Sequence, residues 1–134
     1  MPGEKNLELL LANPSPFLND GAFVFCSLPE TTTLDWRQAI AIFRETEGIT
    51  VIVSREIAEE MKLPYETVFS WITLRVHSSL EAVGLTAAFS AALAGAAISC
   101  NVMAAYHHDH IFVPQADAAR AMEVLSTLKT VEQK

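Results

Sequence analysis

Residues 104–122 read "AAYHHDHIFVPQADAARAM", and residues 41–61 read "AIFRETEGITVIVSREIAEEM". A shift of sixty positions lays Val53-Ser54 on Val113-Pro114. Each stretch runs from strand-like residues through a polar turn into a second strand-like run. Each then enters a segment whose first residues are charged or polar. A further strand lies upstream of each copy, "FVFCSL" at 23–28 and "WITLRVHS" at 71–78. The second of these leads into an alanine-rich helix expected from about Val83 to Ala96. The first leads only into the loop "PETTTLDW". The repeat therefore predicts an α+β, ferredoxin-like fold of two βαββαβ units, the first abbreviated, with antiparallel sheets and helices on one face. The expected boundary separates residues 1–64 from 65–134.

The remaining elements follow from local signals. "NLELLLAN" carries Leu7, Leu10 and Leu11 at helical spacing and stops at "NPSP", which suggests a short helix or an edge strand. "AIAIFRETEGITVIVS" reads as two strands around "ETEG", the second arm almost wholly β-branched. Ser54 is placed to cap a short helix with Ile57, Ala58 and Met61 on its inner face, ended by Pro64. In "ETVFSWITLRVHS", Ile72, Leu74 and Val76 alternate with Thr73 and Arg75. "ISCNVMAAY" reads as a strand, "HHDH" as a turn and "IFVPQ" as the returning strand. "ADAARAMEVLSTLKT" is amphipathic through Ala118, Met122, Leu125 and Leu128. The small face Ala87, Ala91 and Ala94 suggests close packing on a sheet, on the other unit or on a second chain.

The chain has 134 residues, 51% of them apolar and 19% charged, enough to bury a core. Its net charge of -7 and scattered cations argue against nucleic acid and anionic membrane as partners. Cys26 and Cys100 sit in apolar runs and read as buried thiols in a reducing compartment. "MPGEKNLELLLANPSPF" lacks the pattern of a secretory leader. No apolar run reaches the roughly 18 residues of a membrane span. A cytoplasmic protein is expected.

Catalysis finds little support. His77 and Ser78 are neighbours, which on a strand sends their side chains to opposite faces. The two cysteines lie in surroundings that raise a thiol pKa. No phosphate-cradling glycine loop, dinucleotide fingerprint or paired-cysteine motif is present, so neither a catalytic residue nor a cofactor is assigned. Consecutive side chains in "YHHDH" diverge in a turn, which disfavours a metal site. The turn reads instead as a hairpin with Asp109 bonding local backbone, or as a ligand or subunit contact. Asn101 either faces solvent or points its amide into a site. Trp36, Trp71, Met103 and Met122 read as packing residues.

The segment "GLTAAFSAALAGAAISCNVMAAYHHDHIFVP" resembles the ACT domain, a small-molecule sensor of amino-acid metabolism. With "FVFCSL", "IAIFRETEGITVIV" and "ITLRVHSSLEAVGLTAAF", the chain is similar over roughly residues 6–130 to bacterial two-unit ACT proteins, relatives of arginine-sensing animal ACT proteins. Two departures stand out. The connection "HSSLEAVG" is longer than the usual acidic–Pro-Gly turn, and Ala97 stands where many ACT domains have glycine.

The resemblance implies a ligand at the first strand–helix connection. The implied contacts are His77, Ser78, Ser79, Leu80, Glu81, Val83, Gly84, Leu85 and Thr86, with Asn101, Tyr106, Asp109 and His110 from the following strands. A helix N-terminus presents unpaired N–H groups that favour a carboxylate. Glu81 is suited to the ammonium end of an amino acid. "SSLE" also fits a capping box, with Ser78 as N-cap and Glu81 reaching back. The implied function is regulatory amino-acid binding, with a homodimer or an internal pairing of the units. The alternative is an oligomerisation module without a ligand.

Overall fold

The computed structural model describes residues 6, 15–75 and 83–128. The expected N-terminal helix, apart from Asn6, and His77, Ser78, Ser79, Leu80 and Glu81 of the connection lie outside the described residues. The chain divides into two compact units. One comprises Gly21–Phe69; the other joins the residues before it to those from Ser70 onward.

In the Gly21–Phe69 unit, β2 (Phe23–Leu28), β3 (Ala41–Glu45) and β4 (Gly48–Ser54) form an antiparallel sheet in the order β3–β4–β2. Alternation puts Val24, Cys26 and Leu28 on the same face as their partners Val53, Val51 and Ile49. The buried members of this face form a core with Ala58 of helix α1 (Arg55–Glu60). The Ser54 hydroxyl accepts the Ile57 N–H at 3.2 Å, so the predicted cap is in place. The β3–β4 turn needs glycine at 48. A Cβ there would stand 2.8 Å from the Leu28 carbonyl oxygen. Between β2 and β3 the chain forms a loop with one 3-10 turn, Trp36–Gln38. The expected abbreviation is therefore a missing helix.

The other unit contains β5 (Phe69–Leu74, all but its first residue), β6 (Asn101–Ala104), β7 (Asp109–Pro114) and helices α2 (Leu85–Gly95) and α3 (Ala118–Ser126). Strand β1 (Pro16–Leu18) joins this sheet, antiparallel to β5, so a segment preceding the first unit supplies a strand to the second. The sheet order is β1–β5–β7–β6. Ile72, Leu74, Ile111 and Val113 meet Leu85, Phe89 and Leu93 of α2 and Ala121 and Leu125 of α3 in one core.

Three expectations change in this unit. The "HHDH" turn is shorter than read, because Asp109 and His110 already belong to β7. Thr73 is buried, like its neighbours Ile72 and Leu74, with Asn19 and His110 over it. Ala87, Ala91 and Ala94 face solvent. Leu85, Phe89 and Leu93 recur at four-residue spacing and take the core face, with Ala88, Ala92 and Ala96 beside them.

Helix α2 ends in a Schellman motif. Ile98 N–H bonds the Leu93 carbonyl at 2.9 Å, and Ala97 N–H bonds the Ala94 carbonyl at 2.9 Å. Ala97 holds φ 61°, the left-handed conformation that glycine adopts without strain. This is the position where the resemblance anticipates glycine. Helix α1 closes in the same way, with Lys62 at φ 57°.

Candidate functional site

The site is built where α2 and β7 begin. Gly84 precedes α2 at φ 98°, ψ -15°, a left-handed conformation, and offers no side chain to the first-turn amides. The cap of this helix is thus Gly84, and the expected Ser78 cap is not its N-terminus. At the far end of α2, the Arg120 guanidinium in the first turn of α3 donates to the Ala96 carbonyl at 2.8 Å. Helix α3 follows the end of β7 by a single 3-10 turn, so the ends of α2 and β7 share one end of the unit. Helix α2 is about 16 Å long and β7 about 20 Å, so their starts share the other end. Gly84 and Asp109 therefore belong to the same end.

Asp109 shares its strand face with Ile111 and Val113 and points to the helix layer. It is 7% exposed, and no described residue gives its carboxyl a hydrogen bond or ion pair. Burial pushes its pKa above the usual carboxylate value, and the His108 imidazole pulls partly the other way. His108 contributes a buried Nδ1 without a hydrogen-bond partner among the described residues. This end of the unit thus holds a buried carboxyl, an orphaned imidazole nitrogen and a helix start whose cap residue carries no side chain.

His110 faces the other side of the sheet. Its Nδ1 lies 3.0 Å from Trp71 Nε1, an indole N–H that can only donate. The Thr73 hydroxyl lies 3.1 Å from the same nitrogen. The Asn19 amide donates to Thr73 Oγ1 at 3.0 Å and to the Trp71 carbonyl at 3.1 Å. The Asn19 donor leaves the Thr73 proton for His110, so His110 is the neutral Nε2–H tautomer. Burial pushes its pKa down, and His108 adds to the effect. Trp71 stacks on Phe112 with ring centroids 6.0 Å apart.

The other expected residues separate. Leu85 is buried in the core, whereas Val83 and Thr86 are exposed. Asn101 is exposed on its strand, and its amide donates to the Phe112 carbonyl at 3.3 Å, bracing the β6–β7 pair. Tyr106 is exposed and sets its ring edge-on to His107. Among the described residues, no three His, Cys, Asp or Glu side chains are grouped to hold a metal ion. Burial pushes the Cys26 thiol up, as its apolar run suggested. No described helix is long and apolar enough to cross a membrane. Sequence reasoning missed the Asn19–Thr73–Trp71–His110 cluster. The only local hint was a Trp and a Thr on one strand face; their partners lie 37 to 54 residues away.

No curated protein matches the chain. A Vibrio cholerae protein of unknown function has a similar solved structure, with 48% identity and a TM-score of 0.82 over 92% of this chain and 95% of that one. An Agrobacterium tumefaciens protein shares the fold at 12% identity and TM-score 0.66, over 84% of this chain and 87% of that one. So does E. coli aspartokinase III, solved with aspartate and ADP, at 12% identity and TM-score 0.59, over 82% of this chain and 32% of that one. Two ACT-domain family models match in tandem, over residues 2–70 and 66–127. With two matching models in succession and a βαββαβ-derived architecture, the chain belongs to the ACT-domain family.

Proposed function

We propose that this ACT protein is a regulatory, non-catalytic binder of a small amino acid, with the ligand at the end of the C-terminal unit where α2 and β7 begin. ACT domains generally bind amino acids in regulatory roles, and the chain has two such units. One observation carries the location. Asp109 is 7% exposed and has no hydrogen bond or ion pair to its carboxyl among the described residues, and it stands at the same end as the α2 amides that Gly84 cannot cap. A zwitterion satisfies both. Its carboxylate takes the amides and the positive end of the helix dipole. Its ammonium takes the Asp109 carboxylate, whose charged form burial disfavours. Ser78, Ser79 and Glu81 of the connection are additional candidates for the two ends of the ligand, and His77, Leu80, Val83 and Thr86 for its walls. Binding there biases association with a regulated partner in the cytoplasm.

The experiment is thermal unfolding against each of the twenty amino acids. A ligand at a hundred times its dissociation constant stabilises the protein by about 2.7 kcal/mol. The variant Asp109→Asn loses that shift. Without ligand it melts higher than the parent at pH 7, because its neutral amide is less costly to bury than a carboxylate. If none of the twenty raises the melting temperature, the reading fails and an oligomerisation module takes its place.

A further inference from the structure

We infer that Ala104 is the specificity-determining residue of the candidate site: a bound amino acid sends its side chain out across the Ala104 methyl, beside the Asp109 carboxyl. Ala104 has this role only if the ligand reading of the site holds, and it then decides which amino acids are admitted.

The hairpin of β6 and β7 sets the two residues against each other. Ala104 and Asp109 are register partners. The Ala105 N–H bonds the His108 carbonyl at 3.1 Å, so 105 and 108 are the hydrogen-bonded pair that closes the Tyr106-His107 turn. Pair types alternate along an antiparallel ladder. Ala104 and Asp109 therefore form the next, non-hydrogen-bonded pair, the kind whose side chains stand closer. Their Cβ atoms are then about 5 Å apart. Val102 packs against the core under the helix layer, and strand alternation puts Ala104 on that face with Asp109.

Three sides of Asp109 lead into the core. Ile111 follows on its own strand, Ile72 and Leu74 stand on β5, and Leu85 opens α2, all buried in one cluster. Toward β6, the last strand of the sheet, stands Ala104, which is exposed and ends in a methyl group. An amino acid whose ammonium meets Asp109 and whose carboxylate meets the α2 amides still has a side chain to place. Across Ala104 it reaches solvent without displacing core residues.

The abbreviated copy carries the opposite choice at the same step. With the shift of sixty, Arg44 and Ile49 take the places of Ala104 and Asp109, and they too are register partners one pair before the turn. Ile49 packs against its core, and Arg44 beside it is exposed. One copy thus sets a long cation beside an apolar side chain, and the other sets a methyl beside a buried acid. Where the acid is present, the cation this position can carry is missing, and the place is left to the ammonium of a ligand.

Two variants of the full chain test the inference. Ala104→Leu narrows the passage. For any amino acid that raises the melting temperature of the parent, calorimetric titration should give a dissociation constant roughly tenfold or more higher in this variant. Glycine, with no side chain to pass, should behave alike in both. Ala104→Arg supplies the cation of the other copy. With no amino acid present, it should move the Asp109 titration, followed by carboxyl-carbon NMR, to lower pH, and it should abolish the amino-acid shift. Ala87→Arg, the same charge on the exposed face of α2, should do neither. An unmoved Asp109 titration in a folded Ala104→Arg variant overturns the inference, because the carboxyl is then closed to position 104. So does an Ala104→Leu variant with the parent's dissociation constant, although the parent's own shift then leaves the ligand reading standing. A parent shifted by glycine alone also overturns it. Should none of the twenty amino acids shift the parent, the ligand reading fails and the role of Ala104 falls with it. Should Ala104→Leu not fold, Ala104→Arg decides alone, at a step of the hairpin where Arg44 shows that arginine is accepted.

Discussion

The two units answer the same problem with different means. The Gly21–Phe69 unit covers its sheet with one six-residue helix and a core of small and medium side chains, Val24, Cys26, Leu28, Val51, Val53 and Ala58. The other unit has helices of eleven and nine residues, a core centred on Phe89, Leu93, Ile111 and Leu125, and a strand taken from residues 16–18. The extra helix means more apolar area removed from water and one more helix start with unpaired N–H groups. Where the helix is absent, an edge strand and its apolar side chains remain uncovered. The duplicated architecture thus places its candidate ligand end in the complete copy.

The comparison is most directly broken in the cores. Phe89→Ala should cost about 3–5 kcal/mol and Leu28→Ala about 2 kcal/mol in urea unfolding. Equal losses would show that the abbreviated unit is packed as well as the complete one. Next comes the borrowed strand. Asn19 ties it to β5 through Trp71 and Thr73, so Asn19→Ala should cost about 1–3 kcal/mol and speed exchange at Arg75, whose N–H bonds the Ser15 carbonyl. A neutral result would mean that β1 contributes little to the complete unit. A smaller effect of opposite sign is expected at Ala97. Glycine suits its left-handed φ, and Ala97→Gly should raise stability by about 1 kcal/mol. The smallest effect is a pH slope. His110 has its pKa lowered by folding, so the unfolded chain binds the proton that the native chain refuses. Its contribution is complete above the unfolded value of about 6.5 and is lost as pH falls from there toward the lowered native value. His110→Gln should flatten that part of the stability curve; an unchanged slope would assign it to other groups.

Much of the fold was legible because its signals are local. "ITVIVS" had to be a strand by its β-branched residues, Ser54 capped α1 as its type and position indicated, and Pro64 lies just beyond the end of that helix. The alanine helix starts and ends within two residues of its expected bounds, but its alanine face is not the one that packs on the sheet. Ala87, Ala91 and Ala94 recur at helical spacing just as Leu85, Phe89 and Leu93 do, and only the larger side chains repay burial enough to turn inward. Asp109 was assigned to a turn, because a polar residue among histidines resembles loop sequence. In the structure it opens β7, where strand parity directs it to the helix layer.

By itself the sequence determined the repeat, the order of its elements and the absence of a helix between β2 and β3. Each depends on residues a few positions apart, whose spacing fixes helix or strand. Tertiary structure alone decided that residues 16–18 complete the distant unit, that Asn19, Thr73 and Trp71 converge on His110, and that Asp109 is buried at the end where Gly84 opens α2. Those outcomes depend on which strands become neighbours, and neighbours in a sheet are chosen by burial and hydrogen bonding between segments with no mark of each other in their local pattern.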